Sequence, residues 1–298
     1  MKIKGYIRSM RLRTLPLSES GVLLGMFIAM TKGRVTALTA IFLILTTALL
    51  QILSNLSNEL GDTLHGTDTD DRQGIRYSLQ DGEMTITQMK QFIAVVCGLC
   101  CLSGLAMIWF SFGTFFAPEP IALVVLGAAA IWAAMNYTLG RNPYGYRGLG
   151  DLFVFIFFGL VSVCGGYYVC SHDLTDFLVL LPACGIGAFS IGVLNVNNIR
   201  DMKTDAATRT TVAIKMGEYG ARIYQTVLIV LGWLFLIVYS ALKCSSWTHW
   251  IFLLTIPLFA LHLRGVWSRH DRALDPMLPL LVMSTFATVL LFGTGLIL

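Results

Sequence analysis

The stretch V-T-A-L-T-A-I-F-L-I-L-T-T-A-L-L-Q-I-L-S-N-L-S-N-E-L-G-D, residues 35–62, decides the fold. Residues 35–57 carry no charge, and that is long enough to cross a bilayer core, which takes about 20 residues of helix. The end of the stretch keeps helical spacing but turns polar. Asn55, Asn58 and Asp62 stand at i, i+3 and i+7, so three oxygen-bearing side chains share one helix face over two turns. The reading is a membrane helix that delivers a polar face to one side of the membrane.

Outward from this block the same apolar signal repeats. Nine blocks are predicted to span, at about 15–31, 35–57, 91–110, 119–138, 151–169, 175–198, 221–241, 247–263 and 277–297. The 298-residue chain is 56% hydrophobic and 13% charged, against about 25% charged in soluble domains, which excludes a soluble globular protein. No cleavable signal peptide is evident, because the first apolar block follows Lys2, Lys4, Arg8, Arg11 and Arg13 without a convincing cleavage site. With the N-terminus in the cytoplasm, 18 of the 21 Lys and Arg fall in inside segments. Only Lys32, Arg34 and Lys243 fall outside, which supports both the nine-helix count and the orientation. The expected fold is therefore an all-α integral membrane protein, one domain over residues 1–298, with nine helices around a central cavity. The net charge of +4 follows this inside bias, so no nucleic-acid partner is expected.

Two polar connections, about 58–90 and 199–220, are long for a compact fold; such segments are usually functional or disordered, and these are not low-complexity. The second opens with N-I-R-D-M-K-T-D, where Asn198, Asp201 and Asp205 repeat the i, i+3, i+7 spacing. Each member lies 143 residues after its counterpart in the first trio, a weak repeat of helices 1–4 by helices 5–8. Carboxylate and amide oxygens without Cys or His favour a hard cation, and Mg²⁺ shares its shell with substrate phosphates. Two such faces across a cavity suit Mg²⁺ ions bridged by a diphosphate. Nearby bases Arg72, Arg141, Arg147, Arg209 and Lys215 suit the remaining phosphate charge.

Other features read as structural. Cys97, Cys100 and Cys101 lie in an apolar block and lack the polar surroundings of a metal or redox site. Gly185 and Gly187 follow no strand, so they read as close helix packing. The histidines at 65, 172, 249, 262 and 270 make no metal spacing.

The N-E-L-G-D and N-I-R-D-M-K-T-D motifs, with the nine-helix layout, resemble the UbiA-type membrane prenyltransferases over essentially the whole chain. In that family's two Asp-rich motifs, Asn58, Asp62 and Asp68 match the first, and Asp201 and Asp205 match the second. Glu59 stands where Asp is usual, Leu12 follows Arg11 where Pro is frequent, and Arg76 falls one place early. The segments from Gln51, His65 and Leu194, and above all N-P-Y-G-Y-R-G-L-G-D from Asn142, are similar to the 1,4-dihydroxy-2-naphthoate polyprenyltransferase branch.

The resemblance implies that Asp62, Asp68, Asp201, Asp205 and Asn58 hold Mg²⁺, with Asp62 and Asp201 catalytic. It implies diphosphate binding by Arg72, Lys215, Arg11 and Asn198. Tyr137 would face the allylic carbon, and Arg147 and Asp151 would meet the acceptor. The implied partners are a polyprenyl diphosphate, 1,4-dihydroxy-2-naphthoate and membrane lipid, in a bacterial inner membrane with the site facing the cytoplasm. A related prenyltransferase acting on 4-hydroxybenzoate or another aromatic acceptor is the alternative. A secondary transporter is the non-enzyme rival, though transporters place their sites near the midplane.

Overall fold

The computed structural model describes residues 3–33, 35–66, 76–243 and 245–298. Asp68 and Arg72 lie outside the described residues. A short helix α1 (Ile3–Met10) precedes α2 (Leu15–Met30), α3 (Ala37–Leu64), α4 (Ile86–Phe112) and α5 (Pro118–Asn136). Then follow α6 (Gly150–Ser171), α7 (Phe177–Arg200), α8 (Val212–Lys243), α9 (Trp247–Ser268) and α10 (Asp271–Ile297). Among the described residues, the eight helices α3–α10 are long and apolar enough to cross a membrane. The ninth apolar block is α2, whose 16 residues reach about 24 Å at 1.5 Å per residue.

Local chemistry sets the helix ends. Thr36 caps α3 by accepting from the Thr39 amide, and Thr85 and Gln88 form a reciprocal capping box on α4. Gly113 ends α4 at φ 68°, a left-handed position that favours glycine. Within α6, residues Phe155–Val161 run as a π-helical stretch. The predicted block at 221–241 begins earlier, at Val212, with a kink at Gly217 (φ 70°).

The helices pack as two groups. Leu53, Leu56 and Met89 join α3 to α4. Phe189, Trp233, Phe252, Phe259 and Phe292 fill the centre of α7–α10, where α2 and α6 also pack. Lacking a hydrophobic drive between helices in lipid, the contacts rely on small residues. A Cβ at Gly187 would stand 2.6 Å from the Phe155 ring, and one at Gly185 would stand 3.1 Å from the Gly232 carbonyl, so both serve close packing.

A buried polar chain ties α7, α8, α9 and α10 together. The Asn195 amide donates to Gln225 Oε1 (2.9 Å), and Gln225 Nε2 lies 3.0 Å from His262 Nε2. His262 Nδ1 lies 3.0 Å from the Met277 carbonyl. That carbonyl only accepts, so Nδ1 carries the proton and Nε2 accepts from Gln225. His262 is thus a neutral structural link. His262→Leu strands the Gln225 amide and the Met277 carbonyl, at about 1–3 kcal/mol for each group. The expected result is a melting temperature lower by several degrees in detergent; an unchanged value would refute the role.

Candidate functional site

Between the two helix groups lie two joined chambers. The polar one, about 230 Å³, is lined by Arg11, Arg13, Asn58, Asp62, Tyr77, Asn197, Asn198, Arg200 and Arg209 among others. The apolar one, about 330 Å³, runs between α3, α5 and α6, past Leu43, Leu126, Ala130, Phe157 and Val161. Gln51, Asn58, Tyr137, Val154, Phe158 and Leu194 line both chambers and so form the passage between them.

The first motif reaches the polar chamber from the last turns of α3. Asp62 is 3% exposed, and Tyr146 donates its hydroxyl to Asp62 Oδ1 at 2.7 Å. Asn58 Oδ1 accepts from Thr138 Oγ1 (3.2 Å). Glu59 is fully buried, and its Oε1 accepts from the Leu79 amide (2.9 Å). This gives the Glu a reason: it reaches one atom further than Asp and holds the 76–84 turn. Asn55 departs from the three-residue reading. Its amide donates to the Met10 carbonyl (2.9 Å) and to Thr14 Oγ1 (3.0 Å), anchoring the segment between α1 and α2.

The second motif is held by arginines. Both oxygens of buried Asp201 accept from Arg200, at 2.8 and 2.6 Å, and Arg200 also donates to Asp275 at 2.7 Å. Asp201 therefore sits behind Arg200 and not on the chamber wall, and it orients a guanidinium that does line it. Asp205 Oδ2 lies 2.6 Å from Arg209, and both are nearly buried. Burial opposes the Arg209 charge, but Asp205 and Asp62 outweigh it and hold the guanidinium above its ordinary range.

Of the other expected residues, Asn198, Tyr137 and Arg11 line the polar chamber. Arg11 sits at φ 50° with its guanidinium 3.6 Å above the Tyr77 ring. Its Nε and one terminal nitrogen are buried and make no hydrogen bond to a described residue. Burial pushes the Tyr137 phenol up to about 12, so it stays neutral at physiological pH.

Lys215, Arg147 and Asp151 line neither chamber. Lys215 Nζ lies against Gly148. Asp151 accepts from the Tyr224 hydroxyl (3.0 Å), and Arg147 pairs through its backbone with Thr210. Each thus also braces a neighbouring element.

The sequence reading missed Tyr146 as a link. Its hydroxyl holds Asp62 of the first motif, and its carbonyl accepts from the Thr210 amide, just past the second, at 2.9 Å. Its signal was its place in N-P-Y-G-Y. Arg13, Tyr77 and Arg200 also escaped notice.

The chamber carries Asn, Asp and Arg side chains, with no Cys or His on its wall among the described residues. Nor do three Asp, Glu, His or Cys side chains converge on one point among them. That donor set fits Mg²⁺ held by one or two carboxylates and completed by substrate phosphate oxygens.

The match to known proteins runs the length of the chain. A protein named 1,4-dihydroxy-2-naphthoate octaprenyltransferase from Escherichia coli (strain K12) is 36% identical, covering 100% of this chain and 96% of that one. A protein of the same name from Haemophilus influenzae is 35% identical over 99% of this chain and 96% of its own. In structure, the apo UbiA homolog from Aeropyrum pernix K1 superposes with a TM-score of 0.69 at 15% identity, covering 97% of this chain and 96% of that one. The UbiA homolog from Archaeoglobus fulgidus bound to DMAPP and Mg²⁺ gives 0.64 at 13% identity, covering 98% and 99%. The family model for UbiA prenyltransferases matches residues 20–293, so the chain belongs to the UbiA prenyltransferase family.

Proposed function

We propose that this protein transfers a polyprenyl group from a polyprenyl diphosphate to 1,4-dihydroxy-2-naphthoate. Loss of the ring carboxylate as CO₂ restores aromaticity and gives demethylmenaquinol, the hydroquinone form of demethylmenaquinone. The observation that carries the reading is the joined pair of chambers, one arginine-lined and one apolar, which suits a molecule with a charged head and a long hydrocarbon tail. The naphthoate acceptor rests on the end-to-end likeness to transferases named for it.

Roles follow from position. Arg11, Arg200 and Arg209 bind the diphosphate, with Asn198 beside them. Asp62 and Asp205 with Asn58 would hold Mg²⁺, joined by Asp68 of the same motif. Bound there, Mg²⁺ neutralises diphosphate charge and makes it a better leaving group. Tyr137, neutral and at the passage, faces the allylic carbon and shields the developing cation from water. The apolar chamber takes the chain toward lipid between α5 and α6. The 18-to-3 charge bias supports nine spans, α2 included, with the N-terminus and the site on the cytoplasmic side of the inner membrane. The matched motif spacing supports one domain built from two similar halves.

Membranes holding the protein are expected to form demethylmenaquinol from the two substrates and Mg²⁺, followed by mass as demethylmenaquinone after oxidation in air. EDTA is expected to cut the rate at least a hundredfold, and Mg²⁺ to restore it. Product with 4-hydroxybenzoate alone would overturn the acceptor; no product with either would overturn the reading.

A further inference from the structure

The carbon that leaves diphosphate must sit where the head chamber meets the tail chamber, and the acceptor ring must reach the same place. Three polar side chains line that passage: Gln51, Asn58 and Tyr137. The direction of the Gln51 amide follows from its neighbours. The Met10 carbonyl only accepts, so the Asn55 atom 2.9 Å from it is the amide nitrogen. Asn55 therefore turns Oδ1 toward Gln51, and Gln51 Nε2 donates to it at 3.1 Å. Thr14 spends its proton on the Arg11 carbonyl (2.9 Å), so its oxygen accepts the second Gln51 proton at 3.3 Å. Reversing the amide would set oxygen against oxygen. Both amide protons are consumed, and Gln51 Oε1 accepts from no described residue. Nor is it one of the polar atoms sealed in protein.

Asn58, whose side chain meets the Thr138 hydroxyl (3.2 Å), lines the passage toward the head chamber. Val154, Phe158 and Leu194 close the rest of the passage. Gln51 lies two helical turns, about 10 Å, beyond Asn58 on the same face of α3. That is the tail side of the head chamber, where an aromatic ring would lie against the reacting carbon.

We propose that Gln51 recognises the acceptor: its Oε1 accepts the hydrogen bond of a ring hydroxyl, with Asn55 and Thr14 holding the amide in place. This rests on the aromatic-acceptor reading above. A phenol O–H taken out of water needs a hydrogen-bond acceptor, and a ring without it leaves Oε1 unpaired. The residue thus selects hydroxylated rings and contributes nothing to prenyl diphosphate affinity.

The test uses the full chain in membranes and two ligand pairs. KM for 1,4-dihydroxy-2-naphthoate is compared with Ki for 2-naphthoate, and KM for 4-hydroxybenzoate with Ki for benzoate. Wild type is expected to favour the hydroxylated ring about tenfold in the pair it uses, the scale of one neutral hydrogen bond. In Gln51→Leu that preference is expected to fall to about unity, while KM for polyprenyl diphosphate stays within about twofold. Thr14→Val, which frees one side of the amide, is expected to lose part of the preference. Absence of hydroxyl preference in wild type would overturn the proposal without any variant. So would an intact preference in Gln51→Leu, or a matching rise in both substrates' KM. Hydroxyl preference confined to the benzoate pair would overturn the naphthoate acceptor and leave Gln51 its role.

Discussion

Asp62→Ala abolishes turnover, by at least about a thousandfold, in protein that still folds. Loss of a group that stabilises developing charge in a water-poor site costs rates on the order of 10²–10³, and here a metal would be lost with it. Asp62 ends α3 at the chamber wall, with the Tyr146 hydroxyl bonded to it. Its removal leaves the α3–α4 core of Leu53, Leu56 and Met89 untouched. Among the described residues, Arg209 keeps its 2.6 Å pair with Asp205. Two readouts check this: turnover, and the rise in melting temperature on adding Mg²⁺ with a diphosphate. Wild type is expected to show the rise and Asp62→Ala to lack it. Tyr146→Phe removes only the hydroxyl that orients the carboxylate, and about a tenfold loss is expected. Substantial activity in Asp62→Ala would remove the metal assignment.

Gly25→Leu destroys the fold outright. A Cβ at Gly25 would press into the Val163 carbonyl and stand 2.6 Å from the Tyr167 amide nitrogen, both backbone atoms of α6. One turn earlier, a Cβ at Gly21 would stand 2.8 Å from the Phe158 carbonyl. Helix backbones touch along this seam, so no side-chain rotation makes room, and overpacking of this kind costs several kcal/mol. Marginal stability leaves little to absorb it. The expected result is loss of the monodisperse peak in size-exclusion chromatography. Gly98→Leu is the control, because nothing lies within 4 Å of a Cβ there. A monodisperse Gly25→Leu protein would contradict the close approach.

The membrane-spanning blocks were legible because bilayer thickness imposes a length that composition alone reveals. The polar chamber was legible in part. Spacing places Asn55, Asn58 and Asp62 on one face, but it does not say how far along that face a site extends. Asn55 stands two turns from Asp62, and at that depth it meets the α1–α2 segment. Arg200 and Asp201 are adjacent in sequence, and no pattern rule marks neighbours as a two-armed buried bridge. Tyr146 was illegible for another reason: its partners lie 84 residues before it and in the stretch after Asp205, so only tertiary folding brings them together. The bracing of Thr210 by Arg147 and of Tyr224 by Asp151 was illegible too, because both partners lie more than 60 residues further along the chain.

The π-helical stretch Phe155–Val161 also sets how this chain tolerates changes in length. A π-bulge holds an extra residue within a helix, so deleting one there restores ordinary α geometry at no cost in hydrogen bonds. Toward the end of α6 a deletion would break the contact of Gly166 with Val22 of α2. At the bulge the healed helix would rotate its first turn by about 100° against its last. Phe153 and Val154 would swing off the chamber walls while Gly165 and Gly166 stayed in register. The bulge is thus a phase-shifter: one residue of chain length turns the aromatic end of α6 toward the cavity and leaves its glycine end locked on α2.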